Sequence, residues 1–289
     1  MRGLSDTEVK ALLKKYSIKP SKKKGQSFLF NKQIAREIVD MAELTPDDRV
    51  LEVGGGLGVL SELIAAKAKH LFVIEIDENL VRALRDLLKQ FNNVTIIHGD
   101  ALVENLPDVD KVISNLPYSI SSQITFRLLR ELNFDEAVLM FQREFAQRLL
   151  ATPCTANYSR LTVGVSYLAE VEELFDVKAR NFQPVPAVDS TVLRLRHRST
   201  GLFAKDPDLF FLMIRGIYSY PNKQLRKALK IWFKQIGNER VHVDTLLDRV
   251  SDRVSEKERL RCISLETLIR ITDEISSMID EGIISIQRK

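Results

Sequence analysis

Between residues 49 and 150 the sequence keeps one rhythm: short apolar runs of about five residues, separated by helical stretches of about 10–15, a pattern characteristic of βαβ units. It predicts strands over 49–53, 71–76, 94–98, 111–114 and 137–141, and helices over 59–67, 79–91, 121–131 and 143–150. Runs this short and apolar need cover on both faces, which a parallel sheet obtains from its own crossover helices. Two later runs, 171–177 and 190–195, have no helix between them and predict an antiparallel end to the sheet.

The rhythm stops at the polar stretch 197–201, and beyond it the pattern is helical, over 207–219, 224–236, 243–250 and 265–278. Upstream, Ser5 and Glu8 have capping-box spacing for a helix over 5–15, and Asn31 can cap a second helix running to Met41. The expected organisation is a basic extension over 1–24, an α/β domain over 25–200 and a smaller all-helical domain over 201–289.

The net charge of +4 conceals two concentrations. Residues 1–24 hold eight Lys or Arg against two acids, and residues 209–238 hold six with no acid, so a polyanionic partner is expected. Lys223, Arg226, Lys227, Lys230 and Lys234 recur at helical spacing, opposite Leu225, Leu229, Trp232 and Ile236. With no acid on the same stretch to neutralise it, this stripe is assigned to the phosphates of a polyanion. The tail with Lys22, Lys23 and Lys24 reads equally well as a second phosphate clamp or as a solubilising arm. Cys154 and Cys262 are far apart and lack CxxC spacing, so reduced, buried thiols are expected. Four scattered histidines give no metal-ligand pattern, so no metal is expected. Without a long apolar run or a signal-peptide core, no membrane association and a cytoplasmic location are expected.

The strand over 49–53 runs into Gly54-Gly55-Gly56-Leu57-Gly58, and in such sheets ligands bind at the carboxyl ends of strands. A dinucleotide fingerprint fails from Gly54, since its last position falls on Val59, and from Gly56 it is displaced from the strand end. Glu75 ends the next strand, where a carboxylate can accept from both ribose hydroxyls. Asp100 follows the third strand, where it can accept from the exocyclic amine of an adenine. Three successive strand ends carrying Gly, Glu and Asp point to an adenosyl cofactor.

Asn115-Leu116-Pro117-Tyr118 follows the fourth strand and so shares that sheet edge. An exocyclic amine is a poor nucleophile because its lone pair is delocalised into the ring. The Asn115 side-chain oxygen and the Leu116 carbonyl can each accept one N–H and turn the lone pair toward a methyl donor. Pro117 restricts Leu116 to an extended conformation, and Tyr118 offers a face on which an extracted base can stack.

With these residues in place, the chain resembles the small-subunit ribosomal RNA adenine dimethyltransferases, in particular their archaeal and eukaryotic branch. The resemblance runs from about Lys22 to Lys230. Lys24-Gly25-Gln26-Ser27-Phe28-Leu29 is similar to the motif that closes over the cofactor in that family, and Glu52–Leu60 to its glycine motif. Glu75-Ile76-Asp77, Gly99-Asp100-Ala101 and Asn115–Tyr118 are similar to its ribose, adenine and target-amine motifs. Phe182-Gln183-Pro184-Val185-Pro186 resembles the loop whose Phe faces the target base opposite the Tyr.

The resemblance implies a Rossmann-like class I methyltransferase sheet and S-adenosylmethionine as cofactor. Gln26, Ser27, Leu29, Glu52, Gly54, Gly56, Glu75, Ile76, Asp100, Ala101 and Asn115 would hold the cofactor. Asn115, Leu116, Pro117, Tyr118 and Phe182 would act on the target base. The implied reaction is dimethylation of two adjacent adenosines near the 3′ end of small-subunit rRNA, by a monomer acting on a partly assembled subunit. The sequence departs from the family at its first twenty residues, which have no counterpart in the usual short start. It also departs at Ser159, where Gly is expected, and at Ala187, where Lys or Arg is expected. Three rivals remain at this point. One is the related large-subunit rRNA adenine methyltransferase of the macrolide-resistance type. Another is an assembly factor whose main role is RNA binding. The third, a dehydrogenase, is disfavoured by the displaced glycine fingerprint and by Asn115–Tyr118.

Overall fold

A computed structural model of the chain describes residues 6–21, 25–251, 255 and 257–286. In chain order the elements are α1 (Asp6–Lys15), β1 (Phe28–Leu29), α2 (Lys32–Met41), β2 (Arg49–Val53), α3 (Val59–Ala65), β3 (His70–Glu75), α4 (Glu78–Leu87), β4 (Val94–His98), β5 (Lys111–Asn115) and α5 (Ser121–Glu131). There follow β6 (Glu136–Gln142), α6 (Arg143–Leu149), α7 (Arg160–Leu168), β7 (Ala169–Val177), β8 (Phe182–Gln183), β9 (Ser190–His197), α8 (Pro207–Ile217), α9 (Leu225–Gln235), α10 (Val241–Arg249) and α11 (Leu265–Asp280). Among the described residues no helix is long and apolar enough to cross a membrane.

Seven strands form one sheet in the order β4-β3-β2-β5-β6-β9-β7. The first five are parallel, and β9 pairs antiparallel with both β6 and β7, as the missing helix between the last two strands predicts. The chain lays β3 and β4 to one side of β2, then crosses back and lays β5 and β6 on the other. Strand order therefore reverses between β2 and β5, and the crevice at their carboxyl ends is where an open α/β sheet binds its ligand. Ser114 Oγ donates to the Val53 carbonyl at 2.6 Å and holds those two ends together. Asn31 caps α2 as expected, its side-chain oxygen accepting from Gln33 N at 2.9 Å.

The chain divides into two compact units, 1–146 with 169–197, and 147–168 with 198–289. One crossing falls at the polar stretch read from the sequence. The other is a correction: 147–168, expected within the α/β domain, belongs to the helical unit. Its helix α7 carries Thr162, Val163, Gly164 and Val165, residues of low helix propensity, so only tertiary packing reveals it. Val163 and Tyr167 enter the core of that unit with Phe210, Met213, Trp232 and Leu268. A side chain at Gly216 would meet the Trp232 ring 2.0 Å away, so α9 can press its indole onto α8 only because that position is glycine.

Two further expectations are corrected. Cys154 and Cys262 are neither reduced nor both buried; they form a disulfide within the helical unit, spanning 108 residues of sequence, with Cys154 exposed. Spacing in sequence carries no information on a bridge between two loops that the fold brings together. The N-terminal segment is not a separate extension either. Val9, Leu13 and Ile18 are buried in a small cluster with Phe28, Leu57, Leu80 and Ala83 of the first unit. Ser5 and Lys22–Lys24, hence the capping box and the proposed clamp, lie outside the described residues.

Candidate active site

At the crevice lies a cavity lined by 25–29, by Glu52 and the glycine turn, by Glu75 and Ile76, and by Asn115–Tyr118. Each segment arrives there for a backbone reason. Gly54 adopts φ +79°, and a Cβ on it would fall 3.0 Å from the Pro117 ring, so glycine lets the loop after β5 lie directly against the turn after β2. Gly25, at φ +63°, approaches the backbone nitrogens of Ser119 and Tyr118 closely enough that a Cβ would sit 2.9 and 3.1 Å from them.

The segment 25–29 is anchored on three sides. Gln26 Oε1 accepts from Ser21 N at 2.9 Å, and Ser27 Oγ donates to the Pro184 carbonyl at 2.6 Å. Strand β1 pairs antiparallel with β8, placing Leu29 opposite Phe182. The segment expected to close over a cofactor is thus tied to the 182–190 loop, a link that no local pattern in the sequence announces.

Two carboxyls face the cavity. Glu75 accepts from Gly56 N at 3.2 Å and Asp77 N at 3.0 Å, and burial raises its pKa while those two donors oppose the rise. Glu52 accepts from Ser61 Oγ at 2.5 Å, and burial, helped by the neighbouring Glu75 charge, pushes its pKa up to about 8. Among the described residues no Lys or Arg lines this cavity. Such a wall disfavours the diphosphate of a dinucleotide and suits a ligand that carries positive charge, as a sulfonium with an α-ammonium does.

Asn115 ends β5. Its Nδ2 donates to the Ser27 carbonyl at 3.4 Å, while its Oδ1 is buried without a hydrogen-bond partner among the described residues. An unpaired buried acceptor costs about 1–3 kcal/mol, so this oxygen is preset to receive an N–H. Tyr118 Oη bonds Ser190 Oγ at 2.8 Å, and burial raises the phenol pKa, so the ring is held as a neutral face. Leu116 and Pro117 complete the wall beside it.

Not every expected residue gathers here. Phe182 is 0% exposed and packs in the sheet core with Leu29, Val177 and Val192. The structure thus corrects its expected placement: a ring with no accessible surface supports the wall and does not line it. Asp100 and Ala101 stand at the start of the turn after β4, outside the cavity lining. Ile76 is 52% exposed at the rim, an apolar surface suited to a flat ring. Sequence reasoning missed Ser190 and Ser27 as anchors, because their partners lie 72 and 157 residues away.

In the helical unit the basic stripe is real but partly paired. Arg226 and Lys230 bond Asp244 of α10 at 2.7 and 2.9 Å, so the neutralising acid absent from the stripe's own stretch comes from the next helix. Lys223, Lys227, Lys230 and Lys234 line an open groove together with Arg240, which helical spacing along α9 does not single out.

Fold and cavity together define a Rossmann-like methyltransferase of the kind that uses S-adenosylmethionine. The family model described as ribosomal RNA adenine dimethylase matches residues 18–275, and the chain belongs to that family. It is 45% identical over 221 residues to a Methanosarcina barkeri protein described as a probable ribosomal RNA small subunit methyltransferase A, covering 76% of each chain. Its fold is similar to a dimethyladenosine transferase from Plasmodium falciparum, with TM-score 0.76, 27% identity and coverage of 88% of this chain and 98% of that one. It is also similar to the 23S rRNA methyltransferase ErmE, with TM-score 0.64, 29% identity and coverage of 86% and 99%.

Proposed function

We propose that this protein transfers methyl groups from S-adenosylmethionine to the exocyclic amines of two adjacent adenosines near the 3′ end of small-subunit rRNA, within a partly assembled subunit in the cytoplasm. The observation that carries the reading is the buried, unpartnered Asn115 Oδ1, set among two carboxyls and a glycine cradle. When bound, the cofactor supplies an electrophilic methyl group on a sulfonium.

The chain's own residues do the rest. Glu75 retains lone pairs for ribose hydroxyls, Asp100 accepts from the adenine amine, and Glu52 offers a carboxyl to an ammonium. Asn115 Oδ1 and the Leu116 carbonyl accept the two N–H bonds of the target amine and orient its lone pair. Tyr118, fixed by Ser190, stacks on the extracted base. No strong general base is required, because the methylated nitrogen is cationic and acidic and loses its proton readily. The groove of Lys223, Lys227, Lys230, Lys234 and Arg240 takes RNA phosphates.

Small-subunit precursors and large-subunit RNA, each incubated with the protein and labelled cofactor, test the reading. Label on two neighbouring adenosines near the small-subunit 3′ end supports it. Label on large-subunit RNA, or none on either, overturns it.

A further inference from the structure

Helix α5 follows directly on the Asn115–Tyr118 loop, and one of its side chains reaches back to a different strand end. Arg127 is only 14% exposed. One terminal nitrogen donates to the Ala101 carbonyl at 2.6 Å and the other to the Glu104 carbonyl at 2.8 Å. Its Nε lies 3.0 Å from both carboxylate oxygens of Glu131, one helical turn on, which orients the guanidinium plane.

The two carbonyls belong to a turn that behaves as one piece. Val103 N and Glu104 N both donate to the Asp100 carbonyl, at 2.8 and 2.9 Å, and Leu102 N donates to Asp100 Oδ1 at 2.9 Å. A Cβ on Gly99 would fall 2.3 Å from the Glu104 carboxylate, so the turn is folded tightly on itself. Asp100 Oδ2 takes part in none of these bonds. The carboxylate is therefore aimed by a turn whose outer carbonyls are both held by one guanidinium. All of Arg127's reach is spent on this and on Glu131, which leaves it no role at an RNA phosphate.

We infer that Arg127 is a positioning residue for the cofactor: it holds the 100–104 turn against α5 so that Asp100 meets the exocyclic amine of the cofactor's adenine. This role rests on the proposed cofactor site, in which Asp100 accepts from that amine. It joins the adenine turn to the helix that continues the target-amine loop, two parts of the site that sequence leaves separate.

The test is calorimetric affinity for S-adenosylhomocysteine and for S-inosylhomocysteine, whose base carries a carbonyl oxygen in place of that amine. The wild-type protein should prefer the adenosyl ligand by about tenfold or more, the worth of one hydrogen bond to a charged group. Arg127→Ala should remove most of that preference by weakening the adenosyl ligand alone. Arg127→Lys, which keeps the charge but can reach only one carbonyl well, should fall between and remains informative if Arg127→Ala folds poorly. In an Asp100→Ala background, Arg127→Ala should cost the adenosyl ligand less than about twofold further, as expected for two residues acting as one unit. Preference surviving in both Arg127 variants overturns the inference alone, as does an equal loss for both ligands. A wild type without preference removes the Asp100 reading and the inference with it.

Discussion

Tyr118 Oη and Ser190 Oγ lie 2.8 Å apart, joining the loop after β5 to the first residue of β9. Ser190 is fully buried, so the phenol is fastened to the rigid part of the sheet and its ring cannot swing. Ser190→Ala should lower single-turnover methyl transfer by about threefold to tenfold, the net worth of one hydrogen bond, with cofactor affinity unchanged. Tyr118→Phe should do the same, and the double variant should be no worse than either single one. Additive losses would mean that the two residues act separately.

Phe182 should behave as a core residue. Phe182→Ala should cost about 3–5 kcal/mol of stability, read from urea unfolding, whereas Tyr118→Ala should lose transfer rate with little loss of stability. A Phe182→Ala protein of wild-type stability and poor transfer would restore the ring to the base-binding face.

Phe182 also shows where the sequence stops being informative. Gly54, Glu75 and Asn115 are legible because each ends or follows a strand whose apolar run is obvious, and topology alone brings parallel strand ends to one edge. Phe182 sits in a two-residue strand within a loop, where a motif gives the neighbourhood and not the side on which a ring packs. Cys154 with Cys262, Asp244 with Arg226, and Tyr118 with Ser190 are illegible for one common reason: each pairs residues that only the folded chain brings together. Helix α7 is hidden differently, since its β-branched residues and glycine argue against a helix until packing decides.

The pH dependence of the cofactor site should follow Glu52. Its pKa rises from the ordinary 4.5 to about 8 in the folded protein, so across that window the fold keeps a proton that the unfolded chain has lost. Stability conferred at this position is therefore fully present below about pH 4.5 and declines as pH rises toward 8. A cationic ligand beside Glu52 favours the ionised carboxyl, so cofactor binding should release a proton near neutral pH and tighten as pH rises. Calorimetry in buffers of different ionisation enthalpy measures that release. Glu52→Gln should abolish it, and proton release that persists in the variant would assign the proton elsewhere.

The basic groove should divide into two kinds of cation. Lys223, Lys227, Lys234 and Arg240 line the groove without bonding Asp244, whereas Lys230, which lines it too, and Arg226 are already bonded to that acid. Replacing the first four by Ala should flatten the salt dependence of RNA binding by up to about 0.9 for each phosphate that is no longer neutralised. Replacing Arg226 alone should change that slope less and should loosen α9 from α10. Affinities across a salt series decide, and equal slopes in wild type and the fourfold variant would make the groove a solvated face.

The last expectation concerns α1. Val9 and Leu13 bury their side chains against Leu57, Leu80 and Phe28, and those three residues also line the cavity. Tyr16 Oη donates to Asp86 of α4 at 3.0 Å, and Asn79 Nδ2 donates to the Ser17 carbonyl at 3.4 Å, fastening the segment that leads to Gln26. This cluster is distinct from the main sheet core, so its loss should open locally and spare the rest of the unit. Val9→Ala with Leu13→Ala removes packing worth a few kcal/mol, about 2–5 for a buried Leu alone. The double variant should release cofactor about tenfold faster or more, with a small change in global unfolding and faster amide exchange over 6–18. Tyr16→Phe, which removes the clasp to Asp86 and the bond from Lys15 Nζ but keeps the ring, should show the same effect in weaker form. Unchanged release from a protein whose α1 exchanges freely would mean that the cavity wall stands without this helix.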